Sequence, residues 1–377
     1  MKKTLLNFLW RDPQAPHRYS SAVSLHAHSR HSRETMRYAG SYKQDYLLLR
    51  LALKLAERQL EGDRKAPLRW SRIGWNPPLS AQQVVAAEQT QIQRLGLRPM
   101  VSLTDHDTIE GSLALQPDHG ATAVPVSLEW TVPFGPTVFH LGVHNLEART
   151  ANEVVAELFN YSAQPEPDRL HDLLGFLNQQ PDLLLVLNHP LWDGLSIGQQ
   201  AHREALRTLL HRHGAAFHAL EINGYRPWRE NQDVVELARA WNMPVVSGGD
   251  RHGVECNTIL NLTRAETFAE FVAELRYDGL SQVLFLPRYR EPLRLRWLET
   301  AWDYVRAFPS PSGLSFTWKD RFFYECEDGT LRPLGELAGR ASRALMRSLL
   351  LALKLSLSHA ARPALRRVLA DPVGLRS

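Results

Sequence analysis

Ser24-Leu25-His26-Ala27-His28-Ser29 is a short alternating run in which Ala27 separates two histidines. In an extended strand, successive side chains point to opposite faces, so His26 and His28 share a face and can reach one cation at the strand's end. A His-x-His pair alone is commonplace, and its meaning comes from the rest of the chain. Four later apolar runs each end in a polar cluster. VSLTDHD delivers Asp105, His106 and Asp107; VPVSLEW delivers Glu129, followed by His140 in TVFHLGVH; LLLVLNHP ends in His189 and Pro190; MPVVSGGDRH ends in Asp250 and His252. Clusters at the C-terminal ends of predicted strands are where barrels of alternating strands and helices build active sites. Every donor is nitrogen or oxygen and none is a thiolate. Such a set suits Zn²⁺, Mn²⁺ or Fe²⁺ in a catalytic site better than a Cys-rich structural one.

Taken in order, LHAHS, TDHD, Glu129 with His140, NHP and GGDRH resemble the polymerase and histidinol phosphatase family, or PHP, over roughly residues 20–286. The resemblance implies an α/β fold, a distorted (β/α)7 barrel, with two or three bound divalent ions. It implies that His26 and His28 serve one ion, shared with Glu129 as a bridging carboxylate and with Asp250. His140 and His189 then serve a second ion, and His106 and His252 a third, with Glu129, Asp250 and His252 in the catalytic group. One stretch departs from the pattern: HSRHSRET places Arg33 where the family carries an aspartate. A guanidinium cannot bind a metal, so Glu34, one residue on, is expected to supply that ligand, with His31 as the alternative.

The activity implied is a metal-dependent phosphoesterase, in which a metal-activated hydroxide hydrolyses a phosphomonoester or phosphodiester. Arg33, Arg226 and Arg251 are the candidate phosphate contacts, since a guanidinium can grip phosphate with two bonds. Asp105 and Asp107 flank His106 and are expected to hydrogen-bond a ligand imidazole; His144 is read as another supporting group. Glu221 and Asn223 are placed on the pocket floor and Trp192 on its wall. His211, His213 and His218 match no motif and read as ordinary structural histidines. The contrasting function is a degenerate barrel acting as a non-catalytic binding or regulatory module.

The chain has 377 residues and two cysteines, Cys256 and Cys326, which excludes a disulfide framework and suggests a reducing, cytoplasmic setting. The apolar stretch near the N-terminus is too short for a signal peptide, and no run is long enough to span a membrane. Charge is uneven. Residues 73–287 carry thirteen Lys and Arg against twenty-five Asp and Glu, whereas residues 288–377 carry sixteen against nine. An acidic centre suits a site for several cations. Basic flanks draw anions, which favours a nucleotide or oligonucleotide substrate over an amino-alcohol phosphate.

These patterns predict a metallo-phosphoesterase domain over residues 1–287, with a helical insertion at about 35–78, and a C-terminal extension over 288–377. Residues 46–61 and 340–370 both read as basic helices with broad apolar stripes, able to meet a membrane surface peripherally, a partner protein or the barrel itself. Between barrel and tail, aromatic and arginine-rich residues 288–335 read as a small β-element covering the barrel, with strands in LSFTW and RFFYEC.

Overall fold

The computed structural model describes residues 3–38, 69–116, 124–309 and 315–370, together with residues 54, 57, 58, 61, 62 and 67. Most of the predicted helix at 46–61 lies outside them. The strands are β1 (Lys3–Phe8), β2 (Ser21–Ser24), β3 (Glu34–Thr35), β4 (Ile73–Trp75), β5 (Arg98–Val101), β6 (Val126–Phe134), β7 (Thr137–Leu146) and β8 (Leu184–Asn188). They continue with β9 (Ala219–Asn223), β10 (Val245–Gly248), β11 (Ile259–Thr263), β12 (Leu280–Phe285), β13 (Phe308–Pro309), β14 (Ser315–Phe316), β15 (Phe322–Glu325) and β16 (Leu331–Pro333). The longer helices are α1 (Ala81–Gln93), α2 (Ala151–Ala163), α3 (Pro167–Gln179), α4 (Gln199–His213), α5 (Trp228–Ala240), α6 (Leu293–Val305) and α7 (Arg340–Ser356).

The fold is mixed α/β. Its two main sheets run β1-β12-β11-β2-β5 and β10-β9-β8-β7-β6, so the strand ladders do not close into the expected barrel. Two seams separate the sheets. At one, the chain beyond β5 meets β6 through a single bridge, His106 with Glu129; at the other, the chain beyond β2 meets the chain beyond β10 through Ala27 and Arg251. The ladders stop where candidate site residues begin.

Strict alternation of strand and helix also fails at β6 and β7, which form an antiparallel hairpin around Gly135 and Pro136. Gly135 has φ of 57°, a conformation that costs glycine little. Because β7 is antiparallel to both β6 and β8, its N-terminal part lies beside the C-terminal end of β8, and His140 pairs with Asn188. The hairpin therefore delivers His140 to the same rim without a connecting helix.

The core explains the sequence pattern. Leu184–Asn188 is buried at every position, as a strand covered on both faces requires, so Leu184 to Leu187 read as an unbroken apolar run before the polar Asn188. The helix before β5 starts at Ser80, whose hydroxyl accepts from Gln83 N–H while the Gln83 side chain accepts from Ser80 N–H. This reciprocal pair satisfies two donors that a helix start otherwise leaves open.

The C-terminal residues build a third sheet, β16-β15-β4-β3, together with strands from the two ends of the insertion. LSFTW and RFFYEC do not pair with each other as expected: β14 pairs with β13, and β15 with β16 and β4. Met346 and Leu350 of α7 pack on the cluster containing Ile73, Trp318 and Tyr324, while Leu351 and Leu355 remain exposed. No helix among the described residues is long and apolar enough to cross a membrane.

Candidate metal centre

Nine side chains gather at the seams: His26, His28, Glu34, His106, Glu129, His140, His189, Asp250 and His252. Three of them, His26 (φ 64°), His189 (φ 25°) and Asp250 (φ 50°), adopt left-handed backbone just past a strand end. Non-glycine residues rarely hold this conformation, and its concentration here matches the strain that packing imposes at functional sites. His26 and His28 lie beyond β2, so this turn, rather than plain strand alternation, brings their rings together with centroids 5.0 Å apart.

Glu129 is the hub. Its Oε2 lies 3.0 Å from His26 Nε2, 3.4 Å from His28 Nε2 and 3.1 Å from His106 Nε2. Its Oε1 lies 3.4 Å from His140 Nδ1 and 3.2 Å from His189 Nε2, and accepts a hydrogen bond from Asn188 Nδ2 at 2.9 Å. Burial would raise the Glu129 pKa, but His26, His106 and His140 together hold it well below the usual carboxylate range. Asp250 Oδ1 approaches His26, His28 and His252 at 3.6, 3.7 and 3.5 Å.

Four overlapping groups of donors result. They are His28 with Glu34, His106 and His252; His26 with His189 and Asp250; His26 with His28 and Glu129; and His106 with Glu129 and His140. His189 is grouped with His26 and Asp250 while also sharing Glu129 Oε1 with His140, and His28 belongs both with His26 and Glu129 and to the group of His106 and His252. Glu34 completes that last group, 3.1 Å from His252 Nε2, whereas His31 turns outward to Glu110. Burial disfavours a charged His252, but the Glu34 carboxylate prevails and lifts its pKa to about 9.

The residues fit divalent cations on two observations. Nε2 of His26, Nε2 of His28 and Oε2 of Glu129 are buried, face one another and lack a well-formed hydrogen bond. The opposite nitrogens are occupied: His26 Nδ1 lies 2.5 Å from Glu221 Oε1, and His28 Nδ1 lies 3.2 Å from Ser32 Oγ. A proton on each Nδ1 leaves the Nε2 lone pairs directed inward, the form in which imidazole binds a metal.

Several expected roles change. Asp105 and Asp107 do not bond an imidazole: Asp105 accepts from Ser29 N–H at 2.5 Å and Ser29 Oγ at 2.8 Å, and Asp107 accepts from Thr131 N–H at 2.8 Å. Backbone amides from other segments, Ser29 beyond β2 and Thr131 in β6, occupy their oxygens. The supporting bonds come instead from Glu221, whose second oxygen accepts His189 N–H at 2.8 Å, and from Ser32, which donates to Glu34 at 2.6 Å and accepts His106 N–H at 2.9 Å. A lone carboxylate in the apolar run FHALEIN is a readable signal for Glu221; a serine in a loop gives none. His144 bonds Ser102 Oγ at 2.7 Å and belongs to none of the donor groups; burial pushes its pKa down to about 3.

Of the three arginines, Arg251 is corrected. It is fully buried, with its guanidinium 2.7 Å from Glu88 and bonded to the carbonyls of Gly253 and Val254, so it braces a loop and cannot meet a substrate. Arg226 faces the centre, lying 4.9 Å over the Trp192 ring with Nη2 3.8 Å from Asp250 Oδ2. Arg33 is exposed and lies 5.7 Å over the Phe159 ring. Trp192 packs against His189 and His140, at 5.1 and 5.5 Å between centroids. Among the other histidines, His218 accepts Leu185 N–H at 2.9 Å and lies 2.7 Å from Asn178 Oδ1, a structural pairing.

No known family profile and no curated protein matches the chain. Among solved structures it is similar to PsfC from Pseudomonas syringae PB-5123, at 16% identity and a TM-score of 0.40, over 59% of this chain and 88% of that one. It is also similar to an amidohydrolase from Chromobacterium violaceum bearing sulfate and no metal, at 15% identity and a TM-score of 0.32, over 47% of this chain and 83% of that one. A protein from Bifidobacterium adolescentis assigned as a metal-dependent phosphoesterase matches at 15% identity and a TM-score of 0.31, over 53% of this chain and 91% of that one.

Proposed function

We propose that this protein is a metal-dependent phosphoesterase of PHP type, hydrolysing a phosphomonoester or phosphodiester at a bi- or trinuclear centre. The observation that carries the reading is the convergence of five imidazoles, from His26, His28, His106, His140 and His189, on the single buried carboxylate of Glu129. When bound, divalent cations lower the pKa of water and neutralise the charge of phosphate oxygens.

The chain's own residues supply position and charge. Glu129 joins the donor groups, each oxygen serving a different set of imidazoles. Asp250 turns Oδ1 to the imidazoles and Oδ2 to Arg226, which couples the anion-binding guanidinium to the donors. Arg226 lies over Trp192 and is nearly buried, so a phosphate oxygen held there meets a cation with little competing water. Its planar fork suits two phosphate oxygens at once. Arg33, exposed over Phe159, provides a second cation for an incoming anion, and the basic C-terminal residues favour a nucleotide or oligonucleotide. Zn²⁺, Mn²⁺ and Fe²⁺ all accept this donor set.

Elemental analysis of the purified protein, followed by hydrolysis of an aryl phosphate monoester and diester with added Mn²⁺, tests the reading. Bound metal together with Mn²⁺-dependent hydrolysis, abolished in Glu129→Gln, is expected. Bound metal without hydrolysis favours the non-catalytic binding module, and absence of both overturns the metal reading.

A further inference from the structure

We propose that the C-terminal elements α6 (Leu293–Val305) and β15 (Phe322–Glu325) are a working part of the metal centre, and that His28, Glu34, His106 and His252 form a cation site only while those elements are docked. The inference rests on the metal reading above and adds what governs one of its groups. Glu34 lies on β3, a strand of two residues, and so short a strand has little hold on its own position. Its partner in the third sheet is β4, and the other neighbour of β4 is β15. Glu34 stands opposite Trp75, and Trp75 stands opposite Phe322, so one row across three strands ends at the donor carboxylate.

The second donor of the group is held from the same side. The Trp75 ring lies 5.8 Å from His252, 4.2 Å from Tyr304 and 6.0 Å from Phe322. Thus the imidazole of His252 rests on a tryptophan that the C-terminal residues press into place. Helix α6 also grips the loop that carries His252. Val254 N–H donates to Asp303 Oδ2 at 2.9 Å, and the buried Arg296 donates to Glu255 Oε1 and to the Gly224 carbonyl, both at 2.7 Å. Two of the four donors therefore depend on residues that supply no donor themselves.

The remaining groups are held from inside the two main sheets. Glu221 of β9 fixes His26 and the His189 backbone, and Asn188 of β8 fixes Glu129. The influence of the C-terminal residues should fall on one cation and spare the others.

The test uses the full-length chain with Tyr304→Leu and Phe322→Ala, neither a donor, each measured against wild type by equilibrium dialysis with Mn²⁺. The Co²⁺-loaded proteins are compared by their visible absorption, which reports ligand geometry. Supporting outcomes are one Mn²⁺ class weakened about 10–100-fold, the range for lost outer-shell support of metal ligands, with the other classes unchanged, an altered Co²⁺ spectrum, and recovery in Tyr304→Phe. Glu34→Gln should weaken the same class. If Tyr304→Leu fails to fold, Phe322→Leu takes its place. Equal weakening of every class, or binding identical to wild type, overturns the proposal. A wild-type chain that takes up neither Mn²⁺ nor Co²⁺ overturns the metal reading itself, an outcome visible before any variant is made.

Discussion

Glu221 and His26 meet at 2.5 Å across 195 residues of chain, carboxylate Oε1 to imidazole Nδ1, and the other oxygen of Glu221 accepts His189 N–H at 2.8 Å. One side chain thereby orients two candidate ligands. In Glu221→Gln the amide has a single acceptor oxygen, and its NH₂ faces a group that requires an acceptor. Mn²⁺ affinity is expected to fall about 10–100-fold with the fold intact, measured by dialysis alongside circular dichroism.

Gly248 lies beneath that carboxylate. A Cβ at Gly248 would stand 1.5 Å from Glu221 Oε1, far inside van der Waals contact. Gly248→Ala should displace Glu221, destabilising the protein by about 1–3 kcal/mol, the usual cost of overpacking, and lowering metal affinity together with stability. Urea unfolding and metal titration of the same preparation check both effects.

Ser32 Oγ ties Glu34, His28 and His106 by three contacts of 2.6, 3.2 and 2.9 Å. Ser32→Ala is expected to cost about 1–3 kcal/mol, because it leaves the buried His106 N–H and His28 Nδ1 without a partner, and to weaken a single class of bound cation. Calorimetric metal titration separates that result from a general loss of binding.

Arg251 and Glu88 form an ion pair with both side chains wholly excluded from solvent. Removing one partner of such a pair strands a buried charge. Glu88→Ala should destabilise by about 3–5 kcal/mol, seen as a lowered urea midpoint, since Arg251 acts through stability rather than through substrate affinity.

Cys256 offers a pH test. Burial pushes its thiol up to about 11, with Glu88 adding to the rise. A folded pKa above the unfolded one contributes stability that is complete below about pH 9 and is lost as pH rises toward 11. Labelling by a thiol reagent should be slow at pH 7 and accelerate steadily through that range. Fast labelling at neutral pH would show that this half-buried thiol ionises without the upward shift.

Most of the candidate donors could be read from sequence because they lie in or at the end of apolar runs and are residue types with metal chemistry, whereas Glu34, in the polar stretch HSRHSRET, emerged only from the family resemblance. Their sharing could not. His189 reaches both His26 with Asp250 and, through Glu129 Oε1, His140, by way of a left-handed turn and a hairpin reversal, neither of which leaves a trace in hydropathy. The same limit hid Ser32, and it misled on Arg251, where proximity in sequence to Asp250 and His252 suggested a shared direction. Its side chain turns instead to Glu88, a helix residue 163 positions away.

The two seams between the main sheets carry one more implication. Each is bridged by few backbone bonds, yet the candidate ligands on either side belong to different sheets: His106 and Glu129 face across one, His28 and Asp250 across the other. On the proposed metal reading, ions held there would act as rivets, and the chain's resistance to protease and heat would become a readout of its cation supply. A chelated sample should open first at residues 25–28, 105–107 and 249–252, long before the sheets themselves exchange their amide hydrogens.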